Sequence, residues 1–62
     1  MWIKSKEGLF NTKQLSAIYE GKDGSTQATD CSERRIIFIS ENNVLEEIVE
    51  GLKFHKEYLE VE

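Results

Sequence analysis

Sixty-two residues carry 8 basic and 12 acidic side chains, one cysteine, one histidine and no proline, for a net charge of −4. A lone cysteine excludes an internal disulfide, and one Cys with one His excludes a Cys/His zinc set. A chain this short reads as one domain, residues 1–62, burying only about 60% of its unfolded surface. With disulfides and zinc gone, oligomerisation is the remaining common support.

The charge is uneven. Residues 1–40 hold six basic and five acidic side chains, while residues 41–62 hold two basic and seven acidic ones. An acidic third on a nearly neutral body lacks the basic footprint that nucleic-acid binding uses to displace counterions, so nucleic acid is not an expected partner. The unpaired cysteine fits a reducing cytosol. No apolar run is long enough for a signal peptide or a membrane helix, so the expectation is a cytoplasmic protein with no membrane contact.

In chain order, residues 1–4 alternate as a short strand, with Met1 and Ile3 on one face and Trp2 and Lys4 on the other. Lys6, Glu7 and Gly8 form a turn, and Leu9 and Phe10 open a second strand. Asn11, Thr12, Lys13 and Gln14 break it as a bulge or one helical turn, before a strand over residues 15–20. Gly21, Lys22, Asp23 and Gly24 are the clearest hairpin signal in the chain. Residues 25–31 are Thr-rich and weakly apolar, which predicts an edge or a wet strand. Ser32 and Glu33 turn the chain into its strongest strand, residues 35–40, β-branched and aromatic through its middle.

From Asn43 the period becomes helical. Asn43 with Glu46 three residues on has the spacing of a capping box, and Ser40 is a rival cap. Leu45, Ile48, Val49, Leu52 and Leu59 share one stripe, which keeps phase across Gly51 and predicts one helix running through Tyr58, within residues 43–60. The expected fold is α+β: a small antiparallel β-meander of four to five short strands over residues 1–40, with this C-terminal helix packed on one face.

That layout leaves apolar positions to spare. Phe54, Tyr58 and Val61 fall opposite the first stripe of an ideal helix. The strand over residues 35–40 is apolar on both faces, Ile36 and Phe38 against Ile37 and Ile39. Trp2 and Tyr19 are large for solvent-facing positions. Trp2, Tyr19, Ile37, Ile39, Phe54, Tyr58 and Val61 are therefore the candidate protein-contact residues, since aromatic residues are enriched at such surfaces. Glu46, Glu50, Glu57 and Glu60 form a narrow acidic helix face, read either as an imitation of a phosphate backbone or as a solvated face with Lys53 for weak ion pairing. Arg34 and Arg35 read either as part of a small basic patch with Lys4 and Lys6, should their strands adjoin, or equally as gatekeepers against strand aggregation. Cys31 and His55 are the only nucleophile and imidazole, with no local orienting group or oxyanion site, so no catalytic residue, cofactor or metal is expected. Cys31 reads as a small buried hydrophobe or an idle thiol, and His55 as a solvent-facing helix residue.

The opening Met1-Trp2-Ile3-Lys4, the step Gly8-Leu9-Phe10-Asn11, a strand and a Glu-rich C-terminal helix resemble a group of short uncharacterised proteins of low-GC Gram-positive bacteria and their phages. The resemblance is specific near residues 1–11 and otherwise covers the layout; residues 25–33 are more polar than the pattern. It implies the meander-plus-helix layout and a phage or prophage origin, and no reaction. The functional expectation is a non-enzymatic interaction module that binds and inhibits or modulates a host protein, the alternative being a homodimeric structural domain.

Overall fold

Alternation at the start of the chain builds the first of two three-stranded sheets. In the computed structural model, which describes residues 1–32 and 35–62, β1 (Trp2–Ser5) buries Ile3 and Ser5 and exposes Trp2 and Lys4. It pairs antiparallel with β2 (Gly8–Asn11), Ile3 opposite Phe10. A single 3-10 turn (Thr12–Gln14), capped by the Asn11 side chain accepting from Lys13 N–H, leads out of this sheet. The second sheet is antiparallel in the order β3 (Leu15–Glu20), β4 (Thr26–Asp30), β5 (Ile36–Ser40). The gatekeeping expected of Arg34, and the turn at Glu33, lie outside the described residues.

The predicted edge strand is the central one. β4 buries Thr26 and Ala28 completely, and β5, the most apolar segment, takes the edge. Small side chains suit the central place, because β4 packs beneath the helix entry and its polar atoms are satisfied there. Thr26 Oγ1 donates to the Asn42 carbonyl at 2.9 Å and accepts from Val44 N–H at 2.9 Å. One hydroxyl thereby ties the middle of the sheet to the start of the helix.

That helix, α1 (Leu45–Lys53), is half the predicted length. Its N-cap is Val44, with no side-chain cap bond. Asn43 accepts from Leu45 N–H at 3.3 Å and donates to Glu20, while Ser40 Oγ accepts from Asn42 N–H and donates to the Glu62 carbonyl. Neither residue is the cap the sequence suggested. At the other end, His55 N–H reaches the Leu52 carbonyl at 3.2 Å and Lys56 N–H the Gly51 carbonyl at 2.9 Å. These are the paired bonds of a Schellman motif, and His55 takes the left-handed conformation at φ 54°. The chain reverses and runs as β6 (Tyr58–Glu60), parallel to β1 with Ile3 opposite Leu59.

The fold is therefore α+β as expected, but with six strands in two sheets among the described residues, one sheet holding a parallel pair. The helix prediction failed because Leu59 sits seven residues beyond Leu52, in phase with the stripe, while also fitting a strand that turns Leu59 and Val61 inward. Gly51 is buried, and a Cβ there would lie 3.1 Å from Met1 Sδ. The glycine costs helix propensity but lets α1 approach the start of β1 closely.

Ile3, Ala28, Ile39, Val44, Ile48 and Val61 form the buried core, drawn from both sheets and the helix. Ser5 Oγ donates to the Ile39 carbonyl at 2.6 Å, and Val61 N–H to the Lys4 carbonyl at 2.8 Å. The ends of β1 and β6 are thus stitched to the end of β5.

Thr26→Val keeps the shape of the side chain and strands Val44 N–H and the Asn42 carbonyl, so unfolding free energy should fall by about 1–3 kcal/mol. Thr26→Ser should be milder, and urea denaturation of the two variants separates hydroxyl from methyl. His55→Gly should act in the opposite direction. Relief of a left-handed non-glycine residue, less the added chain entropy, should stabilise by about 0.5–1 kcal/mol, read as a higher thermal midpoint.

Candidate interaction surface

The two sheets divide the predicted contact residues. Trp2 is 45% exposed, Phe54 72% and Tyr58 50%. They do not form a second helix stripe: Trp2 and Tyr58 are neighbours on the outer face of the first sheet, and Phe54 caps α1. Tyr19 is half-buried. Ile39 and Val61 are core residues, and Ile37 is half-buried against that core. The sequence places these three on the contact surface, and folding turns them inward. β5 alternates as its sequence predicts, but the face it covers is that of Ile37 and Ile39.

The exposed pair is Ile36 and Phe38, at 70% and 39%. Ile36 forgoes most of the roughly 1.5–3 kcal/mol that burying such a side chain is worth. Its backbone is equally open. Asp30 N–H donates to the Arg35 carbonyl at 3.0 Å, and an antiparallel ladder alternates from there. The peptide groups of Ile36 and Phe38 therefore point away from β4, along the sheet edge. A register shift between Thr26 and Gln27 leaves Ile39 unpaired with β4 and bends the strand inward. From Ile39 on, the edge is occupied by the bonds from Ser5 and to Glu62. What remains is a short open edge carrying two apolar side chains on one face.

A second apolar opening lies between α1 and β3, a groove of ≈ 330 Å³ lined chiefly by Leu15, Ile18, Leu45, Val49 and Leu52. Val49 and Leu52, which the helix stripe predicts to be core, are 40% and 48% exposed. The helix is anchored through Ile48 and Gly51 and leaves the flank of its stripe uncovered.

The acidic residues separate with the helix. Glu46 and Glu50 remain on α1, Glu57 lies in the turn after it and Glu60 on β6, all exposed. They make no single face. Glu60 accepts from the Tyr58 hydroxyl at 3.2 Å. Partial desolvation and then the Glu60 charge push the Tyr58 phenol above its ordinary value. Cys31 is exposed, which overturns the buried alternative; His55 is exposed as expected, but beyond the helix. Among the described residues no group of three or more His, Cys, Asp or Glu could hold a metal ion, and no helix is long and apolar enough to cross a membrane.

In the β3–β4 turn, Asp23 accepts from Ser25 Oγ at 2.5 Å and Ser25 N–H at 3.1 Å. The hydroxyl bond first, and the backbone bond second, hold its carboxyl below the ordinary 3.8. No family model, curated protein or solved structure matches the chain.

A depressed carboxylate stabilises the turn above the unfolded value and loses that contribution as pH falls through the folded one. Slow amide exchange at Ser25 should therefore persist down through pH 3.8 and give way only below it. Asp23→Asn should abolish that pH dependence.

Proposed function

We propose that this protein is a non-enzymatic interaction module that binds another protein chain along β5. The observation that carries the reading is the coincidence at Ile36 and Phe38 of exposed apolar side chains with outward-pointing peptide groups. An extended segment added at such an edge gains main-chain hydrogen bonds and covers the two side chains together. Natural sheets blunt exposed edges; here the inward bend protects only the distal end. Occupying another protein's strand-binding surface is also the kind of action expected of a small mobile-element accessory protein that modulates a host protein.

The second reading is a homodimer, and β5 itself favours it. Antiparallel pairing of two copies about Ile37 sets each Ile36 opposite the other copy's Phe38, and both carry their free peptide groups on that edge.

Light scattering over a dilution series, with Ile36→Lys and Phe38→Glu, tests both. A dimer that dissociates in either variant, with circular dichroism unchanged, supports self-pairing. A monomer whose Ile36 and Phe38 amides exchange rapidly supports a foreign strand. A monomer in which these two amides are as protected as that of Ile37 has a covered edge and contradicts the whole reading. The expected loss for either variant is about tenfold or more in association constant, the order of one buried apolar side chain.

A further inference from the structure

The outer face of the first sheet holds a different kind of site. Trp2 lies in a row between Asn11 on β2 and Tyr58 on β6. Beside it Met1, Trp2, Asn11, Lys13, Lys56 and Glu57 line a cleft of ≈ 290 Å³. Lysine side chains outnumber carboxylate side chains there two to one, against the charge of the chain as a whole.

The cleft is built rather than incidental. The Met1 carbonyl accepts both Thr12 N–H at 2.9 Å and Thr12 Oγ1 at 3.0 Å. Trp2 N–H donates to the Glu57 carbonyl at 2.8 Å. Asn11 Oδ1 accepts from Lys13 N–H, which fixes the amide and leaves Nδ2 as a donor. The elements bearing Lys13 and Lys56 are thus pinned to opposite sides of the strand that carries the indole.

We propose that this cleft binds a nucleoside phosphate, its base stacked on Trp2 and its phosphate held by Lys13 and Lys56. A half-exposed indole offers a stacking face that tolerates any base. Two lysines supply charge-assisted hydrogen bonds to phosphate oxygens. Asn11 Nδ2 and the Glu57 carboxylate offer one donor and one acceptor for a base edge. The acidic remainder of the chain argues against a long strand laid over the surface and leaves one nucleotide unit as the ligand. That unit comes either free in solution or within a single strand, and the recognition chemistry is the same.

Trp2 is the only tryptophan, so its emission, excited at the red edge of the indole band where adenine is transparent, reports the site directly. The protein is titrated with adenosine monophosphate, with a short oligodeoxyadenylate and with inorganic phosphate. Saturable quenching by either nucleotide, and none by phosphate, is the expected result. Lys13→Gln and Lys56→Gln should each weaken it about tenfold, the order of one charged hydrogen bond, with circular dichroism unchanged. Equal affinity for the mononucleotide and the oligomer assigns the free nucleotide; much tighter oligomer binding assigns the strand. Ile36→Lys should leave the titration unaltered, which separates this site from the β5 edge. No saturable quenching at millimolar nucleotide, or quenching indifferent to both lysine changes, overturns the proposal.

Discussion

The return of the chain after the helix is the constraint on which the rest of the molecule depends. Without β6 beside β1, the first sheet is a two-stranded hairpin, and such hairpins are marginal in water. With it, Leu59 and Val61 close the core over Ile3, and the bonds between Ser5 and Ile39 and between Ser40 and Glu62 join the two sheets at their ends. That return needs a sharp stop to α1. The stop is made by a histidine in a conformation glycine would adopt more cheaply. A tolerable local cost is offset by long-range pairing.

The small shared core explains what lies outside it. Among the described residues six are buried hydrophobics, and they are shared among two sheets and one helix. Each element can turn only part of its apolar surface inward. The helix commits Ile48 and Gly51, so Val49 and Leu52 stay open. β5 commits Ile39, so Ile36 and Phe38 stay open. The surplus visible in the composition is thus real, but it is distributed over a sheet edge, a groove and the Trp2–Tyr58 row rather than gathered on one helix face.

Charge follows the same logic. A row of glutamates counted on a continuous helix looks like one electrostatic feature. Once the helix stops at Lys53, Glu57 and Glu60 belong to a turn and a strand, and Glu57 joins Lys13 and Lys56 around Trp2. Local environment, rather than net charge, then decides what each cluster can bind.

Sequence alone determined the local pieces: the alternation from Met1 to Lys4, the break over residues 11–14, the hairpin at Gly21 to Gly24 and the extended run of residues 35–40. Each is written in a period or a turn residue within a few positions, where backbone sterics and burial act directly. Only the tertiary structure decided that the polar strand Thr26–Asp30 is central, that Ile36 and Phe38 rather than Ile37 and Ile39 face outward, and that Tyr58–Glu60 is a strand. Those outcomes depend on partners far along the chain. A three-residue segment compatible with both periods takes the one whose hydrogen bonds a distant strand completes, and for residues 58–60 that strand is β1.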